Sequence, residues 1–298
     1  MKNRRPSAAP GRLWWPTLLA TALLGACASL EPPAPTALSV LNAIPPVLTP
    51  QRIAAIVASP TRTDADRAND LRRKPEQLLA FIGIRPGMVA LDLSAGGGYT
   101  TELLLRAVGA DGEVYGQSAP RTTRPGPAQP EGGAITPTPA TTPAPSAGPP
   151  RTSAVMVSER ATRLKAGNLT AIVQPFEDPI PPGRVDARLD LVTLMFNYHD
   201  LGHMGVNRAR MNAAVYAALK PGGMYVVADH AGRPGTGITE SGTLHRIDEA
   251  FLREEVERAG FKLAAEGQFL RNPNDPRDRN TPEPPQPKDE FVFKFVKP

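Results

Sequence analysis

Apolar residues occur along the chain in two alternating patterns, short continuous runs and stretches with an apolar residue every three or four positions. Continuous runs are typical of strands that are covered on both faces of a sheet, and the longer period indicates helices with one buried face. The runs predict strands at residues 88–93, 113–117, 169–174, 189–196, 224–229, 263–270 and Glu290–Val296. The longer period predicts helices at residues 51–58, Asp64–Arg73, 76–82, Tyr99–Val108, 208–219 and 244–259.

The order of these elements predicts an α/β fold. Strands that alternate with helices favour a mostly parallel sheet with helices on both faces. The last two strands are joined by a Pro-rich loop at residues 272–288 rather than by a helix, so we expect them to close the sheet as an antiparallel pair. Phe291, Phe293 and Phe295 occupy every second position of the final strand and give it one aromatic face. The prediction is a seven-stranded, mostly parallel sheet.

Two segments do not have the composition of a folded core. Residues 28–47 are rich in Pro, Ala and Ser and are predicted to be a flexible tether. Between Ser118 and Pro150 there are ten prolines and almost no large apolar side chains, so little surface can be buried to offset chain entropy. We therefore predict one domain at residues 48–298 with a disordered Pro-rich insertion at residues 118–150.

The first 27 residues have the composition of a targeting segment. A positive stretch precedes an apolar run at residues 13–24, which is shorter than the roughly 20 residues that span a bilayer. Residues 24–27, Leu-Gly-Ala-Cys, resemble the bacterial lipobox, in which the cysteine is acylated. Cys27 is the only cysteine in the chain. We predict a signal peptide at residues 1–27 and a lipid-anchored membrane protein that faces the periplasm; an ordinary signal peptide is the alternative.

The net charge of +5 does not indicate nucleic-acid binding. Lys2, Arg4, Arg5 and Arg12 contribute four of these charges, which leaves +1 for the rest of the chain. No basic stripe with interleaved aromatic residues follows. We therefore expect no nucleic-acid partner.

The strongest local signal for chemistry is the loop at residues 94–98, Ser-Ala-Gly-Gly-Gly, which we call the glycine loop. It follows an apolar strand and runs directly into a helix. Glycine allows positive φ and close approach of a ligand, and the start of a helix offers free N–H groups. The loop lacks the Gly-x-Gly-x-x-Gly spacing of dinucleotide sites.

The region around this loop resembles the first motif of class I methyltransferases that use S-adenosylmethionine. Asp92 matches the acid of that motif, Gly96 and Gly98 match its second and third glycines, and Ser94 replaces the first. Residues 184–192 and 219–224 resemble the entries to the family's fourth and fifth strands. Residues 73–75, 197–201 and 244–249 are similar to a bacterial, often exported group of predicted methyltransferases. The resemblance implies a Rossmann-like fold and methyl transfer from S-adenosylmethionine to an unidentified acceptor, which can be a small molecule.

The same resemblance implies where the cofactor binds. In the family, an acid at the end of the second strand binds the ribose hydroxyls, and Gln117 stands there in this chain. Phe176 is a candidate to pack on adenine, and Glu177 or Asp178 to accept from its amino group. The predicted cofactor-binding residues are Asp92, Ser94, Ala95, Gly96, Gly97, Gly98, Tyr99, Gln117, Phe176, Glu177 and Asn197.

Candidate catalytic groups follow the fourth and fifth strands, because ligands of open α/β sheets lie beyond the carboxyl ends of the strands. His199 and Asp200 follow the fourth strand, and His230 follows the fifth. Methyl transfer to a hydroxyl or nitrogen requires removal of a proton, and histidine titrates near neutral pH. We predict His199 as the base, with Asp200 and His230 as further catalytic residues. The alternative is that these histidines only bind loop backbone.

Two other functions remain open from the sequence. His199 and His203 have the i, i+4 spacing of helical metal ligands, which with Asp200 and His230 would suit a metal-dependent hydrolase. Gly202 weakens a helix there, and we predict no metal. The replacements at Ser94 and Gln117 would suit a binding lipoprotein that has kept the fold without the activity.

Overall fold

The computed structural model describes residues 45–120, 151–180, 187–282 and 284–298. The predicted signal peptide, nearly all of the tether and residues 121–150 of the predicted insertion lie outside these ranges. The strands are β1 (Val89–Leu93), β2 (Glu113–Ser118), β3 (Leu169–Val173), β4 (Leu189–Met195), β5 (Leu219–His230), β6 (Lys262–Gly267) and β7 (Glu290–Val296). The helices are α1 (Pro50–Val57), α2 (Asp64–Arg73), α3 (Pro75–Ile82), α4 (Tyr99–Val108), α5 (Ser153–Leu164), α6 (Asp200–His203), α7 (Arg208–Ala218) and α8 (Glu249–Arg258).

The strands form one seven-stranded sheet in the order β3-β2-β1-β4-β5-β7-β6. The first five strands pair in parallel, and β7 pairs antiparallel with both β5 and β6. This confirms the predicted α/β fold with a closing antiparallel pair. The sheet order reverses between β1 and its neighbours β2 and β4, so the loops after these strands meet at one edge of the sheet.

Alternate residues of the central strands face two separate hydrophobic cores. Leu91 and Val192 belong to the core under α7 and α8, together with Val215 and Leu252. Ala90 and its neighbours on the opposite face belong to the core under α3, α4 and α5. Each face of the sheet is thus covered by helices, which explains the continuous apolar runs in the sequence.

The helix before β6 begins later than predicted. The apolar pattern indicated residues 244–259, whereas α8 begins at Glu249 and is capped by Asp248, which accepts from the amide of Ala250 at 3.0 Å. His245 has φ +50°, and the side chain of Arg246 is fully buried, 2.8 Å from Asp275. These two residues fix an irregular segment where the sequence pattern extended the helix.

Helix α5 was not predicted. It follows the Pro-rich segment, and Thr152 caps it by accepting from the amide of Val155 at 3.3 Å. Val157, its one buried residue, packs in the core on the α4 side of the sheet. Within the described ranges, no helix is long and apolar enough to cross a bilayer.

Candidate functional site

The glycine loop begins at the carboxyl end of β1, beside a buried acid. Asp92 accepts from Thr101 of α4 at 2.6 Å and from Thr193 of β4 at 2.8 Å. Burial raises the pKa of Asp92 to about 6, although both threonine hydroxyls favour its charged form. This predicted cofactor-binding residue therefore connects β1, α4 and β4 beneath the loop.

The backbone of the loop needs conformations that favour glycine. Gly96 and Gly98 have φ +52° and +80°, and Ser94 also has positive φ, +58°. A Cβ on Gly98 would lie 2.8 Å from Cδ of Arg160. The guanidinium of Arg160 donates to the carbonyl of Gly97 at 2.5 Å. The missing side chain at residue 98 thus allows α5 to approach the loop closely.

Gln117 holds the loop from below rather than facing solvent. It is fully buried, its Oε1 accepts from the amide of Ser94 at 2.9 Å, and its Nε2 donates to the carbonyl of Gln174 at 2.6 Å. Its backbone carbonyl accepts from Ala95 at 2.8 Å. A carboxylate cannot donate to Gln174, so the amide at this position has a structural reason. Ribose binding by Gln117 stays a prediction.

Helix α2 contributes a charged wall beside the loop. The hydroxyl of Tyr99 donates to Asp70 at 2.7 Å, and the guanidinium of Arg73 lies 5.8 Å from the Tyr99 ring and 4.3 Å from the Phe196 ring. Burial and the neighbouring Asp70 raise the pKa of Tyr99. Helix α2 was not predicted to be part of the site, because the spacing of its apolar residues shows which side is buried but not which polar residues lie beside the loop.

All four histidines meet at the ends of β4 and β5. Nδ1 of His199 lies 2.6 Å from Asp229, and Nε2 lies 3.0 Å from Asp200. The backbone amide of His199 also donates to Asp229 at 2.7 Å. Burial disfavours the charged imidazole, but the two carboxylates outweigh it and raise the pKa of His199 to about 9. At neutral pH, His199 is therefore an imidazolium held between two acids.

Asp200 connects this histidine cluster to the glycine loop. Its carboxylate lies 2.8 Å from Nδ1 of His245 and accepts from Asn197 at 3.1 Å. Asn197 in turn accepts from the hydroxyl of Ser94 at 2.8 Å. Burial opposes ionisation of Asp200, but His199 and His245 lower its pKa to about 2. A continuous chain of polar contacts thus runs from the loop to Asp229.

His230 has the opposite electrostatic environment. Its ring lies 5.3 Å from that of His199 and 5.5 Å from that of Phe196. Burial and the positive charges of Lys288 and His199 lower its pKa well below the usual value. Nδ1 lies 3.0 Å from Glu290, outside hydrogen-bonding geometry. Two adjacent histidines are therefore pushed to opposite protonation states.

His245 and Asp229 are the residues that sequence analysis missed. Asp229 is the last residue but one of β5, and its position at a strand end was the available signal. His245 was assigned to the last helix, whereas it lies in the irregular segment before α8. Its ring lies 5.6 Å from His199 and 5.6 Å from His203.

The predicted adenine contacts lie further along the edge, after β3. Phe176 is 7% exposed and packs in the core with Leu91 and Ile172. Glu177 accepts weakly from the amide of Asn207 at 3.4 Å, and Asp178 lies 3.4 Å from Arg210 on the surface. The choice between Glu177 and Asp178 stays open.

The site can donate and accept protons at neutral pH. The His199 imidazolium is set to donate, because a general base must be neutral before it accepts a proton. Asp200 is ionised but buried, and its lowered pKa makes it a weak proton acceptor; the half-buried His245 beside it is the more exposed end of the chain of contacts. The prediction of His199 as the base remains open.

No protein-family model and no curated protein matches the sequence significantly. Solved structures do match. A S-adenosylmethionine-dependent methyltransferase from Aquifex aeolicus is 16% identical with a TM-score of 0.51, over 84% of this chain and 100% of that one. A putative methyltransferase from Haloferax volcanii, in complex with its activator Trm112, is 16% identical with a TM-score of 0.50, over 84% and 99%. With this likeness and this strand order, the chain has the fold of class I S-adenosylmethionine-dependent methyltransferases.

Proposed function

We propose that the protein binds S-adenosylmethionine at the glycine loop and transfers its methyl group to an acceptor. The observation that carries the proposal is the position of the loop. It follows β1, where the strand order of the sheet reverses, and ligands of open α/β sheets bind at that point. The fold shared with an S-adenosylmethionine-dependent methyltransferase supports this choice of cofactor.

The loop has groups suited to the cofactor. Three of its five residues have positive φ, and no side chain caps the start of α4 at Gly98. Backbone N–H groups are therefore directed toward the edge of the sheet. We assign residues 94–99 to the methionine portion of the cofactor, as the family resemblance implies.

The acceptor is proposed to lie on the side of the loop that carries Asn197 and Asp200. The cofactor supplies a methyl group on a sulfonium, which leaves as a thioether when the acceptor attacks. The protein has to position the acceptor and, for a hydroxyl or nitrogen, remove its proton. Asp200 is connected to the loop through Asn197, which donates to Asp200 at 3.1 Å and accepts from Ser94 at 2.8 Å, so this carboxylate is placed to position the acceptor. His199 and His230 then hold and polarise this end of the site.

Calorimetric titration of the full chain with S-adenosylhomocysteine tests the proposal. This product retains the adenosine and amino-acid groups but has no methyl group, so binding is measured without turnover. We expect saturable binding with one site per chain. No heat of binding at millimolar ligand would refute the cofactor assignment.

A second candidate is ligand binding without methyl transfer. The amide of Gln117 is used within the protein at both ends, where the family has an acid for the ribose. A non-catalytic protein would still bind S-adenosylhomocysteine. With tritiated S-adenosylmethionine and added membrane and soluble cell fractions as sources of acceptor, it would transfer no labelled methyl group. Transfer of label to any fraction component excludes this candidate.

We also propose that the chain is exported and acylated at Cys27, as the lipobox-like residues 24–27 and the single cysteine suggest. Labelling of expressing cells with a clickable fatty acid tests this. Wild type should carry label, and Cys27→Ser should carry none; equal labelling would refute lipidation. This proposal is independent of the cofactor, because its residues lie far along the chain from the glycine loop.

A further inference from the structure

The histidine cluster contains a set of metal-ligating atoms. His199, Asp200 and His245 each place one ligand atom within 4.8 Å of the other two. One oxygen of Asp200, Oδ1, lies 3.0 Å from Nε2 of His199 and 2.8 Å from Nδ1 of His245. Donor atoms about 2.0–2.2 Å from a tetrahedral zinc ion lie roughly 3.3–3.6 Å apart, so these atoms have to separate by about 0.5 Å to accept an ion. The protons by which the two ring nitrogens contact Asp200 are released to solvent when the ion binds.

The surroundings of these three residues match those of ligands. A metal-bound histidine usually has its second ring nitrogen on a carboxylate, which fixes the ring and raises its basicity. Nδ1 of His199 lies 2.6 Å from the fully buried Asp229, which also accepts from the amides of His199 and His230. Asn197 donates to the other oxygen of Asp200 at 3.1 Å. Both candidate ligands are thus oriented by fixed neighbours.

Nδ1 of His203 is held by Ser241 rather than by Asp200. The hydroxyl of Ser241 donates its one hydrogen to the carbonyl of His199, at 2.5 Å. It must therefore accept from the amide of His203 at 2.9 Å and from Nδ1 of His203 at 3.0 Å. Nδ1 of His203, 3.8 Å from Asp200, thus carries a proton.

His245 reaches the cluster through an unusual backbone conformation. Its φ of +50° is uncommon for a residue with a side chain, and the residue lies in the segment that precedes α8. Such conformations concentrate at functional sites, where the surrounding structure maintains them. The His245 side chain is 30% exposed, which leaves a path for an ion from solvent.

We propose that this chain binds a divalent first-row transition metal through Nε2 of His199, Oδ1 of Asp200 and Nδ1 of His245. Two imidazoles and one carboxylate suit zinc and its neighbours better than magnesium or calcium, which prefer oxygen ligands. Three protein ligands leave a position for water or a substrate oxygen, as in catalytic zinc sites. His199 and Asp200 belong both to this site and to the proposed acceptor side, whereas no residue of the glycine loop is a ligand. Metal binding is therefore measured separately from cofactor binding.

The test is zinc binding by the untagged full chain, measured by equilibrium dialysis with elemental analysis. We expect one zinc per chain, and intense visible absorption when cobalt replaces zinc. His245→Ala, or His245→Gln if the alanine variant does not fold, should weaken zinc binding at least about 10-fold. His203→Ala is the matched control, because it also removes a histidine of the cluster, four residues after His199, that is not one of the three ligands. This variant should bind zinc as wild type does. Circular dichroism checks that each variant is folded.

A change at Asp229, the carboxylate that orients His199, distinguishes a specific metal site from nonspecific zinc binding. Asp229→Asn keeps the shape but weakens the hydrogen bond to His199, and a change of this kind usually costs about 10–100-fold in metal affinity. Less than stoichiometric zinc in wild type, or equal losses in His203→Ala and His245→Ala, would overturn the proposal. Either result leaves S-adenosylhomocysteine binding untouched, so the two proposals fail independently.

Discussion

Gln117 fixes Ser94: the buried side-chain oxygen of Gln117 accepts from the backbone amide of Ser94 at 2.9 Å. The same side chain donates to Gln174 at 2.6 Å, so one amide joins the ends of β1, β2 and β3. An amide can do both, whereas a carboxylate at residue 117 cannot. Residues 94 and 117, the two positions at which the sequence differs from the motifs that it resembles, are thus in direct contact.

Restoring the acid should therefore destabilise this protein. In Gln117→Glu, a buried carboxylate would face the carbonyl of Gln174 without a donor, which costs about 1–3 kcal/mol in the free energy of unfolding. Denaturant titration at pH 7 measures this. Gln268→Glu, at an exposed position, is the control and should change stability by less than about 0.5 kcal/mol. Equal stability of both variants would contradict the assigned role of Gln117.

The stability of the domain should depend on pH through Asp92. Its pKa is raised from 3.8 to about 6 in the folded chain, so folding favours its neutral form. Its contribution is therefore greatest below about pH 4, and the free energy of unfolding should fall by on the order of 3 kcal/mol as pH rises through 6. Asp92→Asn should remove this part of the slope between pH 4 and 7, and the exposed Asp111→Asn should keep it. If the slope is unchanged in Asp92→Asn, the pH dependence of the free energy of unfolding does not come from the buried carboxyl of Asp92.

Arg160 of α5 should contribute strongly to the stability of the domain through two ion pairs beside the glycine loop. Its guanidinium binds Asp66 at 2.7 Å and Glu102 at 2.6 Å, and both acids are nearly inaccessible. Arg160→Met leaves both carboxylates without this partner, which costs about 3–5 kcal/mol for a buried pair. Arg210→Met removes an exposed pair with Asp178 and should cost less than about 1 kcal/mol. Thermal unfolding followed by circular dichroism compares the two; similar losses would refute the difference.

The fold was accessible from the sequence because its strands are covered on both faces. Continuous apolar runs predicted all seven strands, and β7 was predicted with the bounds that it has. Helix α5 was missed because it has a single buried residue and follows a Pro-rich segment, so its apolar period is weak. The start of α8 was misplaced because His245 and Arg246 are fixed by contacts with distant residues, Asp200 and Asp275.

The site was only partly accessible. The glycine loop and His199 were found, because they follow strands and local sequence identifies strand ends. The partnership of His199 with Asp229 joins residues 30 positions apart, and that of Asp200 with His245 joins residues 45 apart. Sequence spacing suggested that His203 and His199 would act together. In the structure His203 contacts Ser241, and His245 is the second histidine in contact with Asp200. Local spacing cannot show such long-range pairs.

Calorimetric titration of S-adenosylhomocysteine into two glycine variants tests whether the glycine loop is the cofactor site. Gly96→Val and Gly87→Val both force a branched residue into positive φ, +52° and +79°, but only Gly96 lies in the glycine loop. Gly87 has open space where the Cβ would be. We expect Gly87→Val to bind as wild type does, and Gly96→Val to fold but to show no binding. Wild-type affinity in a folded Gly96→Val would contradict the assignment of the loop as the cofactor site.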